Sequence, residues 1–376
     1  MTSRYLKWKK SVPVRWVASV RITVACLVWL FVLTFWGTVA QVSDGLYQAQ
    51  EKFFHSWYFL QWGFLPLPGA QLTLWILFVN LSANAVFRFV YRWANVGILI
   101  IHLGLLSYFV GAFVTLHGVE ESNLTLREGE TSNVAQAYHD WELAVWSPSE
   151  ADALEVTAFD VAGLKSGEVV TLTDPPLEFG VRLYFANAQA YTRGKAPQPD
   201  LLNVSGINDL SRLALDSAPE RNFPGGIFTV RLPDGSRRDI LLYGQESQPT
   251  PLAAGGKGYL FQIRRKRYQL PITVTLKKFE MEKHPGTEIA RSYRSYVQIE
   301  RQGIKRDAEI YMNHPYRFKD YTFYQASYAV DQRGEFRSTL AVVRNEGRLL
   351  PYVSSLVTFA GLAVHFLVMA FRRRWR

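Results

Sequence analysis

Four windows of about 20 residues, almost free of charge, constrain this chain of 376 residues more than any other feature. They run near Ile22 to Ala40, Leu67 to Phe87, Val96 to Leu116 and Pro351 to Phe371. A helix of about 20 residues is long enough to cross the ~30 Å hydrocarbon core of a bilayer, so each window reads as a transmembrane helix. The first is too long and too aromatic for a signal peptide and lacks a small-residue cleavage site, so it is read as retained.

The net charge of +10 lies mostly outside these windows and at particular ends of them. Arg4, Lys7, Lys9, Lys10, Arg15 and Arg21 precede the first, Arg88 and Arg92 separate the second from the third, and Arg372, Arg373, Arg374 and Arg376 end the chain. Cytoplasmic loops carry the excess of Lys and Arg, which places these segments inside and both termini on one face. The resulting organisation is a cytoplasmic basic N-terminus (1–21), three transmembrane helices within 22–117 (about 22–40, 67–87 and 96–116) around a short exported loop (41–66), an exported domain (118–350), a fourth helix (351–371) and a cytoplasmic basic tail (372–376). An inner (plasma) membrane protein with its large domain on the periplasmic or extracellular side is expected. Trp8, Trp16, Trp57, Trp62, Trp93 and Trp375 stand near span ends, where interfacial anchors belong.

The exported segment carries 29 Lys plus Arg against 30 Asp plus Glu, so the basic pI reports topology and excludes a nucleic-acid footprint. Short runs rich in β-branched and aromatic residues, such as Ile227 to Leu232, Tyr259 to Ile263 and Ile272 to Leu276, are separated by Gly, Pro, Asp and Asn. That pattern predicts a β-rich domain, a sandwich or a barrel-like sheet. Asp234-Gly235 signals a hairpin, as does Gln302-Gly303 more weakly, because such turns need positive φ. Within the Pro-, Asn- and Asp-rich stretch from Lys195 to Pro224, the run from Asn208 to Leu215 reads as a short helix. The basic run Arg264-Arg-Lys-Arg267 reads as a solvated face or a contact for anionic headgroups. Cys26, the one cysteine, can form no intrachain disulfide.

Two histidines interrupt the apolar windows, His102 in the third and His365 in the fourth. An ionisable group in hydrocarbon is costly without a partner, and for imidazole that partner is often a metal. Gly97, Gly104, Gly111 and Gly118 recur every seven residues along the third window, a stripe that lets another helix approach closely. At about 100° per residue His102 points away from that stripe. Counted from the cytoplasmic span ends, His102 and His365 sit at nearly equal height, as two axial ligands of one haem would; alternatively each is a structural histidine bonded within the bundle. Asn80, Ser82 and Asn84 read as interhelical polar contacts. The spans hold no Asp or Glu, which weighs against a proton pump or ion-coupled transporter. No haem-attachment, Walker or dinucleotide motif occurs, so hydrolase and nucleotide chemistry have no support.

Several segments together resemble the ResB (CcsB) family of system II cytochrome c biogenesis. They are Gly37-Thr-Val-Ala-Gln41 leading into Leu46-Tyr-Gln-Ala-Gln-Glu51, His102-Leu-Gly-Leu, Pro285-Gly-Thr, Met312-Asn-His-Pro315, Tyr321-Thr-Phe-Tyr-Gln-Ala-Ser-Tyr328 and Leu349-Leu-Pro-Tyr-Val353. The resemblance implies a membrane subunit, not catalytic alone, of a haem-attachment (holocytochrome c synthase) complex. Such a subunit binds haem b transiently, works with a CcsA/ResC-like membrane protein, serves apocytochrome c and depends on a thioredoxin-like thiol reductase. The family's transmembrane haem-ligand histidine matches His102, whose partner imidazole lies in the CcsA-like protein; His365 is the weaker candidate for the haem iron. His55, His117, His139, His284 and His314 read as surface, loop or interfacial residues. The competing readings are a cytochrome b-like electron-transfer subunit and a cofactor-free assembly scaffold. The first would want four intramembrane histidines.

Overall fold

The computed structural model describes residues 11–148, 155–173, 175–192, 201–232, 235–254, 257–287, 289–331 and 333–374. Arg4, Lys7, Trp8, Lys9, Lys10, Asp234, Trp375, Arg376 and residues 193–200 of the polar stretch lie outside them. The chain divides into a helical unit (residues 1–120, 319–321 and 344–376) and a β unit (121–318 and 322–343).

Among the described residues the helical unit contains four helices long and apolar enough to cross a membrane. Its elements are α1 (Val12–Val17), α2 (Val20–Asp44), α3 (Leu46–Ala49), α4 (Ala70–Ala83), α5 (Val96–Gly118) and α6 (Leu350–Arg374). Ser19, in extended conformation, breaks α1 from α2 and accepts from the Arg21 backbone N–H. Such a break leaves carbonyls without helical partners. The Asn80 side chain, 1% exposed on α4, donates to the carbonyls of Val17 (2.5 Å) and Ser19 (3.0 Å), and Arg88 donates to that of Ala18 at 2.8 Å. Asn80 Oδ1 also accepts from the Thr23 hydroxyl at 2.6 Å, tying α4 to α2.

Between α2 and α4 the chain forms a small aromatic nucleus. The hairpin β1 (Tyr58–Gln61) and β2 (Leu65–Pro68) brings Phe59 against Phe53, ring centroids 5.0 Å apart, while Trp36 of α2 packs on both. Trp29 donates its indole N–H to the Pro68 carbonyl at 2.9 Å. After α4 the helix widens into a π turn over Asn84–Arg88 and ends at extended Phe89.

The β unit follows the predicted pattern of short strands with turn residues between them. In chain order it comprises β3 (Glu120–Arg127), β4 (Thr131–Trp146), β5 (Val156–Asp160), β6 (Val169–Thr173), β7 (Pro176–Phe185), β8 (Ala188–Tyr191), β9 (Leu201–Leu202) and β10 (Asp209–Arg212). There follow β11 (Gly225–Arg231), β12 (Arg237–Tyr243), β13 (Thr250–Ala254), β14 (Lys257–Lys283), β15 (Ala290–Arg301), β16 (Ile304–Tyr311), β17 (Tyr316–Phe318), β18 (Tyr321–Val330) and β19 (Phe336–Arg344). One sheet has the order β6-β7-β11-β12-β9, and a larger one runs β16-β15-β14-β4-β3-β19-β18-β17 with β13 beside β14 and β5 beside β4.

The sandwich expectation holds for the first part of this unit. Phe179, Phe228, Val230 and Ile240 from the smaller sheet bury against Leu143, Val145, Phe261 and Ile263 from β4 and β14. Alternation places these residues inward, since successive side chains of a strand point to opposite faces. β14 continues past this core, and its pairing with β4 shifts register between Gln269 and Val274. Pro271 lies inside that shift, where a residue without an N–H cannot extend the ladder.

The β15–β16 turn has positive φ at both Gln302 (49°) and Gly303 (80°), the two-residue hairpin its sequence signals. β11 and β12 form the other expected hairpin, with Gly235 at φ 83°. Two local expectations are corrected. Asp209–Arg212 is a strand, not helix: it pairs antiparallel with β8, and Leu210 buries beside Ile207, Leu241 and Tyr243. Tertiary pairing overrides the local pattern there.

The basic run is the second correction. Arg264 forms a buried ion pair with Glu142 at 2.8 Å, Arg265 lies 4.1 Å from the Trp141 ring, and Lys266 pairs with Asp160 at 2.9 Å. Arg265 also donates to the carbonyls of His139 (3.2 Å) and Glu220 (2.8 Å). These three charges stitch strands together; they do not form a free headgroup surface.

Candidate functional site

The intramembrane histidines are positioned by the glycine stripe. Gly97, Gly104 and Gly111 are buried, and each touches α6. A Cβ on Gly97 would strike the backbone N and Cα of His365; one on Gly104 would strike the Thr358 hydroxyl and, at 2.8 Å, its backbone N; one on Gly111 would meet Leu350 Cβ at 3.0 Å. Gly361 answers from the other helix, its missing Cβ leaving room for the Ile101 backbone N at 2.7 Å. Small residues on both helices thus bring the backbones together, where packing replaces the hydrophobic drive that lipid cannot supply.

Those pairs define an antiparallel register with Gly97 level with His365, Ile101 with Gly361 and Gly104 with Thr358. His102 is five residues from Gly97, so the backbones of the two histidines are offset by about 7.5 Å along the helix axis. The equal backbone height expected from counting to the span ends does not hold, because the two helices are staggered: with Gly97 level with His365, the start of α5 at Val96 stands level with Phe366 and short of the end of α6.

Their directions differ as well. At about 100° per residue His102 falls on the face of α5 opposite the glycines, whereas His365 shares the α5-facing side of α6 with Ser354, Thr358 and Gly361. The structure therefore does not bring His102 and His365 together as two ligands of one ion. His365 lies half-buried in the helix pair, its Nδ1 buried and without a hydrogen-bond partner among the described residues.

His102 has a defined tautomer. Its Nδ1 lies 2.7 Å from the Ile98 carbonyl oxygen, which can only accept, so the proton sits on Nδ1. The Nε2 lone pair is thereby left for a metal, the arrangement in which the second ring nitrogen orients the ligating one. Phe89, delivered by the π turn at the end of α4, sets its ring 6.4 Å from the imidazole at 61°. A half-buried imidazole held by a backbone bond and flanked by an aromatic ring fits one axial bond to haem iron.

Above His102 on the same face of α5 stand Phe109, Phe113 and Leu116, at heptad spacing or one turn from it. With Gln71, Leu74, Trp75 and Phe78 of α4 they line an open groove of about 160 Å³. Trp75 packs edge-on against Phe113 and against Phe78, both at 5.7 Å, and Phe78 meets Phe109 at the same distance. This groove was not foreseen from the sequence, although the seven-residue spacing from His102 to Phe109 to Leu116 was a readable sign of a shared face.

The remaining histidines are dispersed. His117 meets the Phe113 ring at 4.5 Å at the end of α5; His55 Nδ1 donates to the Glu51 carboxylate, 2.8 Å away; exposed His314 stacks on Tyr311 at 4.6 Å; and exposed His284 caps a turn through its carbonyl. His139 lies beside the Tyr138 ring on β4, and burial pushes it below the ordinary imidazole range against the opposing pull of the Glu220 carboxylate. Among the described residues no group of three or more His, Cys, Asp or Glu is arranged to hold a metal ion.

Comparison with known proteins adds two findings. The sequence model of the ResB-like family matches residues 226–341, from β11 into β19, a stretch that contains the Pro285, Met312 and Tyr321 segments. Protein NrfI of Wolinella succinogenes is 23% identical over 303 residues, which is 78% of this chain and 29% of NrfI. The chain thus spans about three tenths of the length of that relative.

Proposed function

We propose that this ResB-like chain works in cytochrome c biogenesis as a membrane subunit of a system II synthetase. It helps carry haem b across the membrane and presents it, with apocytochrome c, to a CcsA/ResC-like partner for thioether attachment. The observation that carries the reading is His102: an intramembrane imidazole whose Nδ1 is committed to the Ile98 carbonyl and whose Nε2 is left to coordinate.

The geometry also supports a partner. Haem iron takes two axial ligands, and His365 is turned into the α5–α6 contact, away from His102. The second ligand is assigned to the CcsA/ResC-like protein, as in the family. The same fact weakens the cytochrome b-like alternative, which needs facing histidine pairs inside one bundle. The basic flanks support a reading with the termini in the cytoplasm and the β unit outside, where apocytochrome is handled. Reduced apocytochrome thiols must come from elsewhere, since Cys26 is buried in α2 with no second thiol in the chain; a thioredoxin-like reductase is assigned that role.

The test is the reduced haem spectrum of the full chain purified with and without a CcsA/ResC-like partner. Haem content should fall in His102→Ala, be retained in His365→Ala if that variant folds, and cytochrome c maturation lost with His102 should partly return on adding imidazole. Unchanged haem in His102→Ala would sink the ligand assignment, and no haem in any preparation would favour a cofactor-free scaffold.

A further inference from the structure

We propose that the β1–β2 hairpin is a lipid-binding blade, seated in the phospholipid headgroup layer on the side of the bilayer opposite the basic flanks. The inference needs only that the four apolar helices cross a membrane, and it is independent of the haem reading. The turn carries the first observation. Trp62 (φ 54°) and Gly63 (φ 80°) are both left-handed, and the Phe64 N–H closes the turn on the Gln61 carbonyl at 3.3 Å. Such turns ordinarily take Asn or Asp before the Gly, and a bulky side chain at positive φ is strained. Here the strained place belongs to an indole that is 71% exposed and stacks at 6.3 Å on Phe64, itself 73% exposed. Backbone strain of this kind concentrates at functional segments, and its product here is a pair of rings held out at the tip.

The strands carry the second observation. Phe59 is buried against Phe53 and Trp36, whereas Tyr58 and Leu60 point the other way, opposite Pro68 and Pro66 in the ladder. That outer face is uncharged, and no Asp, Glu, Lys or Arg occurs from Phe53 to Phe87. The Gly69 N–H bonds to the Trp57 carbonyl at 2.9 Å, so Gly69, Leu67 and Leu65 take the bonded positions and Pro68 and Pro66 face outward. The outer edge of β2 therefore has no N–H to lose its water, and the Pro68 carbonyl there is taken by the Trp29 indole. A donor-free edge suits a water-poor layer and refuses strand addition by another chain.

Position selects the occupant. Leu33 of α2 clusters with Ala70, and Gln71 and Leu116 line one groove, so the hairpin rises from the level at which α4 begins and the apolar window of α5 ends. The headgroup layer begins at such a level and adds about 5–8 Å per side, which a strand of four residues, about 13 Å long, can reach through. Trp and Tyr are the side chains enriched in that layer, because it offers apolar area to the ring and partners to the N–H or O–H.

The experiment labels the full chain, with Cys26→Ala, at Leu60→Cys or Phe64→Cys by an environment-sensitive fluorophore and reconstitutes it in phosphatidylcholine vesicles. Both positions are exposed, so the label displaces no packed side chain. Nitroxide-bearing phosphatidylcholine should quench both labels, and aqueous iodide should quench them at least about fivefold less than the same label on free cysteine. Adding Trp62→Asn, which suits the turn but has no ring, should reduce the lipid quenching. Full iodide quenching with none by lipid overturns the proposal. Lipid quenching that Trp62→Asn leaves unchanged assigns the contact to the neighbouring spans and overturns it as well. Lipid quenching that disappears at high protein density, or on adding a CcsA/ResC-like partner, makes the hairpin a protein-docking surface and likewise overturns it.

Discussion

The backbone of His365 occupies the space that a Cβ on Gly97 would need. The helix bearing one intramembrane histidine is thus docked by the glycine face of the helix bearing the other, and the same docking turns His102 outward. Gly97→Leu is expected to force α5 and α6 apart at a cost of about 1–3 kcal/mol, the usual range for overpacking. Thermal unfolding in detergent would measure this, with Leu103→Ala on an exposed position as the control; equal melting of the two variants would refute the packing role.

Asn80 closes a gap in the backbone ledger of the first span. Its amide donates to two carbonyls at the α1–α2 break, and its oxygen accepts from Thr23. Asn80→Ala removes these bonds from half-buried groups, of which the Ser19 carbonyl keeps only the Ile22 N–H, and is expected to destabilise by about 1–3 kcal/mol. Asn80→Asp should be at least as harmful, because a carboxylate cannot donate to carbonyls. Trypsin cleavage at Arg15 and Arg21 reports the outcome: faster cutting in both variants is expected, and an unchanged rate refutes it.

Much of this architecture is legible in the sequence, and the reasons differ by element. The four spans follow from length and charge alone, because an apolar segment of about 20 residues satisfies its own backbone groups in hydrocarbon as a helix. The glycine stripe announces a docking face, and the helix that takes it is α6. Where the two histidines stand relative to one another is not legible from counting, since it depends on the register of α5 against α6. The Arg264 run misleads for a related reason. Its neighbours in sequence are basic, but its neighbours in space are Glu142, Trp146, Trp141 and Asp160, supplied by β4 and β5. Cross-strand pairing decides the role of such charges, and nothing local encodes it.

That pairing has a measurable consequence. Glu142 and Arg264 are both almost fully buried, 8% and 12% exposed at their side chains. Removing one partner strands the other charge, so Glu142→Ala is expected to cost about 3 kcal/mol or more. The double variant Glu142→Leu with Arg264→Met should recover most of that loss, because the stranded charge is gone. Denaturant unfolding of the full chain in detergent checks both; a double variant less stable than Glu142→Ala would contradict the account.

His139 gives the β unit a pH dependence of definite sign. Burial is the main cause that lowers its pKa from 6.5; Arg265 lowers it further, while Glu220, Asp140 and Glu121 oppose the shift. A group that binds its proton less well in the folded state contributes stability that is complete above its unfolded pKa. As pH falls below about 6.5 the unfolded chain takes up the proton first, and the contribution is lost through the lower folded value. His139→Gln removes this titration. Its melting temperature should therefore decline less than that of the wild type between neutral pH and mildly acidic pH, with the two curves running parallel above pH 7. Parallel curves throughout the acid range would show that His139 does not carry the dependence.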